Sequence, residues 1–263
     1  MKTRLFYYLT SILTLLSKIK NWWVLLPLAL GKSNVIIHLK NGCQFKVRSL
    51  MDVWIIKETC LDRDYEVNGI TIRDGWTIID IGAGLGDFAV CVGHEHPGSQ
   101  IYAYEPAPES LALLKENLTL NAIKNVQACQ AAVGATTVEM TLRATGEAVQ
   151  YTTTDSTVSG RPDRTVTVPG LSLDAVFRAE KLGHCDFVKL DCEGCEFDVL
   201  LRAAPATLGK IDHICLEYHD TFTEFSHDDL VRHLQQQGFV VRITPNPAHK
   251  YLGFLYAERR SGS

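Results

Sequence analysis

The sequence predicts an α/β fold: a doubly wound, Rossmann-like, mostly parallel sheet with a reversed C-terminal strand, preceded by an N-terminal helical and β-hairpin extension. An apolar run at 77–81 enters a glycine-rich turn that opens a helix. A second apolar run follows at 101–104, and strand and helix patterns then alternate along the chain. We therefore assign residues 1–70 to the extension and residues 71–263 to a cofactor-binding domain.

Length and charge limit the function further. The chain has 263 residues, 46% of them hydrophobic, which suits one sizeable core with an extension. Residues 1–51 hold eight Lys or Arg and no Asp or Glu, whereas the other 212 residues carry 18 basic and 30 acidic side chains. An acidic body does not favour binding of nucleic-acid phosphates, so we expect no nucleic-acid partner.

Eight cysteines are scattered along the chain, several inside predicted strands. This pattern is typical of buried free thiols in a reducing compartment, and it predicts a cytoplasmic protein. Cys192 and Cys195 form a lone C-x-x-C without a second ligand pair, so we interpret them as packing residues and predict no metal there. The motifs require no metal elsewhere, although the carboxylates of Asp191, Glu193 and Glu217 could hold a divalent cation, and this alternative stays open.

The first 31 residues predict an amphipathic helix and a second apolar run. Apolar residues recur at helical spacing from Leu5 to Ile19, and the run from Trp22 to Leu30 is interrupted by Pro27. Neither run reaches the roughly 20 apolar residues that span a bilayer, and no signal-peptide cleavage site follows the first. Two interpretations stay open: packing on the domain, which we favour, or peripheral contact of residues 1–31 with an anionic membrane.

A hairpin is predicted next, because residues 35–48 alternate apolar and polar side chains around Asn41-Gly42. Asn-Gly suits the tight turn that joins two antiparallel strands. We expect this hairpin to be a small accessory element of the extension.

The stretch from Asp80 to Phe88 contains the glycine-rich turn, and Glu105 ends the following strand. A carboxylate there can accept hydrogen bonds from both hydroxyls of a ribose. Asp87 places a negative charge at the helix N-terminus, where a dinucleotide would need its diphosphate, so we predict S-adenosylmethionine as the cofactor. The candidate cofactor-binding residues are Asp80, Gly82, Ala83, Gly84, Gly86, Asp87, Phe88, Glu105, Pro106 and Gln130.

The remaining patterns complete the sheet. Strands are predicted at 126–133, 185–191 and 211–219, helices at 110–120 and 228–237, and a final antiparallel pair at 239–244 and 251–257. The polar stretch 144–164 is long for a connection. We expect it either to lie over the acceptor or to be a surface loop.

Polar side chains collect where two of these strands end. Asp191 and Glu193 follow one strand, and Glu217 and His219 end the next. Transfer of a group to a hydroxyl needs a base, for which Asp191 and His219 are the alternatives. Lys189 lies inside a covered strand, where its ammonium needs a carboxylate partner such as Asp80 or Glu217. The candidate catalytic residues are Asp191, His219, Glu217 and Lys189.

At these positions the chain resembles the FkbM-type methyltransferases, a family of the class I S-adenosylmethionine-dependent fold. The matching stretches are Ile79 to Ala83 with Gly86, Tyr104-Glu105-Pro106, Asn117 with Asn121, Leu173-Asp174, Lys189 to Glu196 and Leu216 to His219. One departure is Gly84, where members of the family commonly carry Asn. The resemblance implies O-methylation of a hydroxyl on a sugar, glycan or natural product, with Glu105 on the cofactor ribose.

Two other functions compete with this expectation. A non-catalytic, membrane-associated module could keep the cofactor fold for binding alone, which the basic N-terminal arm favours and the carboxylate cluster does not. A nicotinamide-dependent oxidoreductase is disfavoured by Asp87. The expected partner is a small-molecule or glycan acceptor, and nothing in the sequence predicts the oligomeric state.

Overall fold

The structure is a computed structural model that describes residues 2–145, 150–153, 164–192, 194–220, 223–246 and 251–260. Its helices are α1 Lys2–Lys18, α2 Leu25–Ala29, α3 Leu50–Ile56, α4 Asp64–Val67, α5 Asp87–Glu95, α6 Pro108–Leu120, α7 Leu173–Ala179, α8 Cys195–Leu201, α9 Pro205–Leu208 and α10 His227–Gln236. A 3-10 turn at Trp22–Val24 precedes α2, and a π-helix at Lys57–Asp62 follows α3.

The strands are β1 Val35–His38, β2 Gln44–Val47, β3 Thr77–Ile81, β4 Gln100–Tyr104, β5 Val126–Cys129, β6 Ala132–Gly134, β7 Glu139–Thr145, β8 Gln150–Thr153, β9 Arg164–Ser172, β10 Cys185–Leu190, β11 Ile211–His219, β12 Phe239–Pro245 and β13 Leu252–Arg259. Seven of them form the large sheet, in the order β12-β13-β11-β10-β3-β4-β5. Its strands from β11 to β5 are parallel, and β13 runs antiparallel to both β11 and β12. The predicted fold class is confirmed.

The order of the strands places a ligand cleft at β3. The chain passes from β3 to β4 and β5 on one side, and later returns to place β10 and β11 on the other. In open α/β sheets a cleft forms at the carboxyl ends of the strands where the direction of winding reverses. The ends of β3, β4, β10 and β11 are therefore the ligand-binding edge of the sheet.

A second sheet, β6-β9-β7-β8, is absent from the sequence-based expectations. The single strand predicted at 126–133 is wrong: β5 pairs with β4, whereas β6 leaves the large sheet and pairs with β9. Most of the polar stretch 144–164 lies outside the described residues, but β8 pairs antiparallel with β7 beside it.

The predicted hairpin is confirmed as the antiparallel pair β1 and β2. Asn117 of α6 and Asn121, directly after this helix, hold the second strand. The backbone N of Lys46 donates to Asn117 Oδ1 at 2.7 Å, and that of Gln44 donates to Asn121 Oδ1 at 2.8 Å. Buried side chains of the extension, such as Phe45, join one hydrophobic cluster with Ile78 and others of the sheet. The division at residue 70 stays a prediction.

The predicted amphipathic helix is present as α1, but only part of its apolar face is covered. Ile19, directly after α1, is buried and bridges to Leu39. Ile12, Leu13 and Leu16 are exposed, so the packing favoured for this face is not found at those three residues. Within the described residues, no helix combines the length and apolar character that crossing a membrane requires.

The cysteines differ from the expectation of free thiols throughout. Cys60 is paired with Cys91, and Cys192 is paired with Cys195, both as disulfides. The interpretation of the C-x-x-C as mere packing residues was therefore wrong, because a chain separation of three residues across a tight turn brings the two sulfurs together. The free cysteines of the described chain are Cys43, Cys129, Cys185 and Cys215. Disulfides weaken the compositional argument for a reducing compartment, and the cytoplasmic location stays a prediction.

Candidate active site

The glycine-rich turn joins β3 to α5, and its three glycines have positive φ angles of 76°, 53° and 88° at Gly82, Gly84 and Gly86. A Cβ on Gly82 would lie 1.9 Å from the backbone oxygen of Asp191, and one on Gly86 would lie 3.0 Å from Leu114. Packing therefore requires glycine at these two positions. A Cβ on Gly84 would meet its nearest atom at 3.7 Å, so Gly84 is the member of the turn that leaves room for a ligand.

Glu105 follows β4 and faces this turn. Its carboxylate accepts hydrogen bonds from the backbone N of Gly84 and of Ala107, each at 2.8 Å. Burial raises the pKa of Glu105 to about 7, although the two backbone donors act against the rise. A carboxylate has about four acceptor sites, so two remain for ligand hydroxyls. This geometry fits a ribose, as the sequence predicts.

Lys189 and Asp80 form a buried ion pair between neighbouring strands, since they lie opposite each other in the register of β10 and β3. Lys189 Nζ lies 3.0 Å from Asp80 Oδ1 and donates to the backbone oxygen of Gly82 at 2.9 Å. Burial lowers the pKa of Lys189, but the carboxylates of Asp80, Asp191 and Asp87 outweigh it and raise that pKa above its ordinary value. The ammonium therefore stays charged and holds the start of the glycine turn in place.

The other predicted cofactor residues differ in their burial and contacts. Burial raises the pKa of Asp87 to about 6, against the hydrogen bond that it shares with Thr59. Phe88 is buried between Tyr65 and Phe187, at centroid distances of 5.8 Å and 6.1 Å, so it belongs to the core. The remaining three are Ala83, which is buried, Pro106, which is half-buried, and Gln130, which is exposed after β5.

The candidate catalytic residues Asp191, Glu217 and His219 meet at the ends of β10 and β11. One carboxylate oxygen of each acid and one ring nitrogen of His219 lie within 4.8 Å of one another. The backbone N of Asp191 also donates to Ile81 O at 3.0 Å, which joins this cluster to the strand that carries the glycine turn. These three atoms also suit a divalent cation. Glu193 lies outside the described residues.

Glu196 is a site residue that the sequence analysis gave no role. Its fully buried carboxylate faces His219 Nδ1 at 3.2 Å and accepts hydrogen bonds from the backbone N of Cys192 and Gly194, at 3.1 Å and 2.8 Å. When Nδ1–H donates to Glu196, Nε2 carries the lone pair and becomes the basic nitrogen. The last glutamate of the string Lys189 to Glu196 was the available signal.

Tyr65 is a second residue that the sequence analysis missed. It comes from α4, in the extension, and its hydroxyl donates to Asp191 Oδ2 at 2.7 Å. Its ring lies edge-to-face against Phe254, and Lys189 Nζ lies 5.3 Å from the ring centroid. Burial, followed by the charge of Asp191, raises the pKa of Tyr65 well above its ordinary value, so the phenol keeps its proton. No local pattern marks this tyrosine.

Comparisons with known proteins match the chain to one family of enzymes. The methyltransferase FkbM domain matches residues 80–241. Methyltransferase 1 of Beauveria bassiana is 26% identical in an alignment of length 208 that covers 72% of this chain and 82% of the relative. The 31-O-demethyl-FK506 methyltransferase FkbM of Streptomyces tacrolimicus is 26% identical in an alignment of length 220 that covers 74% of this chain and 84% of the relative.

The fold is also similar to that of a solved structure. The crystal structure of methyltransferase FkbM from Methylobacillus flagellatus KT superposes with a TM-score of 0.51 at 14% identity, over 72% of this chain and 45% of that one. This likeness shows a common fold. The domain match covers most of the large sheet and the carboxyl ends of β10 and β11, so it is evidence of family membership as well as of fold.

Proposed function

This chain belongs to the FkbM methyltransferase family, and from that premise we propose that its S-adenosylmethionine-dependent reaction is the O-methylation of a small-molecule hydroxyl. The single observation that carries the proposal is the buried pair of His219 and Glu196, which lies with Asp191 and Glu217 beside the cofactor turn. An alcohol is a poor nucleophile until its proton leaves, and this pair is a suitable base.

The bound cofactor supplies an electrophilic methyl group on a sulfonium. His219 Nε2 takes the proton of the acceptor hydroxyl, which leaves the acceptor oxygen able to attack the methyl group that bound S-adenosylmethionine would supply. Glu196 holds the ring in place and stabilises the imidazolium that results. Tyr65 donates to Asp191 and orients its carboxylate. In this proposal that carboxylate accepts a hydrogen bond from the acceptor. Lys189 keeps the glycine turn in position and takes no part in proton transfer.

The acceptor class is argued from relatives and from charge. The Streptomyces relative acts, by its name, on 31-O-demethyl-FK506, and this supports a natural-product hydroxyl for our chain. A sugar or glycan hydroxyl is the second candidate, because carboxylates such as Asp191 and Glu217 also bind polyols. The acidic composition of residues 52–263 supports a neutral small molecule over a nucleic acid.

The test uses methyl-labelled S-adenosylmethionine with a panel of polyketide alcohols, sugars and glycans, each beside its amine analogue. We expect label on the alcohols alone, and a rate about a hundredfold lower for His219→Ala. His94→Ala, which removes an exposed histidine, is the matched control and should keep full activity. Parallel reactions with EDTA and with Mg²⁺ test whether the reaction uses a divalent cation at Asp191, Glu217 and His219. Label on amines, or equal rates for His219→Ala and wild type, would contradict the proposal.

A further inference from the structure

Exposed apolar side chains are concentrated in the N-terminal part of the described chain. Of its fifteen large hydrophobic residues that are exposed, eleven lie between residues 12 and 55. The exposed fractions reach 65% at Leu13, 58% at Trp23 and 88% at Leu30. A monomeric protein rarely exposes apolar groups in such a concentration unless they contact a partner.

Most of these residues belong to neighbouring elements, and those of α1 precede them in the chain. Helix α2 packs beside the 3-10 turn and beside α3, and the turn packs beside β1. We define the N-terminal apolar surface by six exposed residues of α1, the turn, α2 and α3: Leu13, Trp22, Trp23, Leu26, Leu30 and Met51.

Exposed lysines lie in the same stretch of the chain as this surface. Lys18, Lys20, Lys32 and Lys40 are exposed, and the chain contains no Asp or Glu before Asp52. The rest of the chain is acidic, so the positive charge is specific to this part. A cationic, apolar surface with two tryptophans is complementary to anionic headgroups above an acyl layer.

We propose that the N-terminal apolar surface docks on anionic phospholipid bilayers, with α1 and α2 lying in the plane of the interface. Leucine side chains would enter the acyl boundary, the tryptophans would lie at the headgroups, and the lysines would contact lipid phosphates and carboxylates. A second copy of the chain is disfavoured as the occupant, because a two-fold contact would bring the same lysines together. The proposal goes beyond methyl transfer and does not depend on it.

The fold connects this surface to the ligand-binding edge. Helix α1 packs on the π-helix Lys57–Asp62, which in turn packs on α5. Thr59 of that π-helix bonds to Asp87, directly after the glycine turn. Docking would therefore fix the lipid surface relative to the site, which suits an acceptor that partitions into the membrane.

The test is flotation of the full chain with vesicles of equimolar phosphatidylserine and phosphatidylcholine, beside vesicles of phosphatidylcholine alone. We expect binding to the anionic vesicles and its loss at high salt. The variants Trp22→Ser/Trp23→Ser and Lys18→Glu/Lys20→Glu/Lys32→Glu should each bind about tenfold more weakly or worse. Val138→Ser/Val240→Ser removes two exposed apolar residues elsewhere and should bind like wild type.

Circular dichroism and S-adenosylhomocysteine binding show whether each variant is folded, so a failure of docking is distinct from a failure of methyl transfer. Wild type that is folded but does not float would overturn the proposal. Equal binding of wild type to both vesicle types would overturn the anionic part. Sedimentation that shows a dimer, dissociated by Trp22→Ser/Trp23→Ser, together with no flotation, would assign the surface to a second copy.

Discussion

Two carboxylates explain most of what the site can do, and both are buried. Glu105 accepts hydrogen bonds from two backbone donors and keeps acceptor sites for ligand hydroxyls, whereas Glu196 faces an imidazole. A buried carboxylate is costly unless it is hydrogen-bonded, so each of these positions requires the donors that the turns supply. Our proposal thus assigns cofactor binding and proton transfer to separate acids, which can be tested separately.

Cofactor affinity should follow the ionisation of Glu105. Its pKa is raised to about 7, so the carboxylate that binds ligand hydroxyls predominates above this pH and is lost below it. We expect the affinity for S-adenosylhomocysteine, measured by calorimetry, to fall about tenfold between pH 8 and pH 6. Glu105→Gln should bind about 10- to 100-fold more weakly at pH 8, with little dependence on pH.

Glu139→Gln, at an exposed position, is the matched control for this experiment. Asp87, with a pKa raised to about 6, titrates in the same range, and the Gln variant at Glu105 separates the two contributions. A pH dependence that is unchanged in Glu105→Gln would assign the titration to Asp87 instead.

Glu196→Gln should separate catalysis from cofactor binding. The amide can still accept from one backbone N–H, but it loses the charge that stabilises the imidazolium of His219. We expect kcat to fall about a hundredfold or more, with the affinity for S-adenosylhomocysteine within about twofold of wild type. Asp198→Gln, on the same helix but half-buried outside the site, should change neither quantity. Loss of cofactor affinity equal to the loss of kcat would show a purely structural role.

At the scale of elements, one disulfide connects two helices and the other is local. Cys60–Cys91 ties the π-helix to α5 across 31 residues, and Cys192–Cys195 closes the turn before α8. In the chain-entropy model the stabilisation grows with the length of the closed loop. The longer loop should therefore contribute more to the free energy of unfolding.

Urea unfolding without and with dithiothreitol measures this difference. We expect Cys60→Ala/Cys91→Ala to lower the free energy of unfolding by about 3–4 kcal/mol, and Cys192→Ala/Cys195→Ala by about 2 kcal/mol. Cys43→Ala/Cys215→Ala replaces two buried free thiols and corrects for lost packing. With reductant present, the differences due to the disulfides should vanish. Thiol titration that finds all eight cysteines free in the unreduced protein would refute the pairing.

At the scale of the whole molecule, the sequence predicted those strands and turns whose signal lies in residues close together in the chain. Buried runs such as 77–81, the Asn41-Gly42 turn and the strand that ends at Glu105 are all set by neighbours in the chain. Tyr65 could not be found this way, because its partner Asp191 lies 126 residues later and only tertiary packing joins them. The split of 126–133 between two sheets has the same origin, since β6 pairs with β9, which follows a long polar stretch.

The same long-range packing predicts that the extension and the sheet unfold together. Phe45 of the hairpin is fully buried in a cluster that includes Phe88 and Phe187 of the domain. Phe45→Ala should therefore destabilise the entire chain, by about 3–5 kcal/mol.

Two probes test whether the extension and the sheet unfold together. Three of the four tryptophans precede residue 70, so fluorescence reports mainly on the extension, whereas S-adenosylhomocysteine binding reports on the sheet. In urea both transitions of wild type should coincide, and Phe45→Ala should move both by the same amount. Phe239 is buried in β12, at the other edge of the sheet. Phe239→Ala should also move both transitions by the same amount. If Phe45→Ala moved only the fluorescence transition, residues 1–70 would be an independent folding unit that merely rests on the domain.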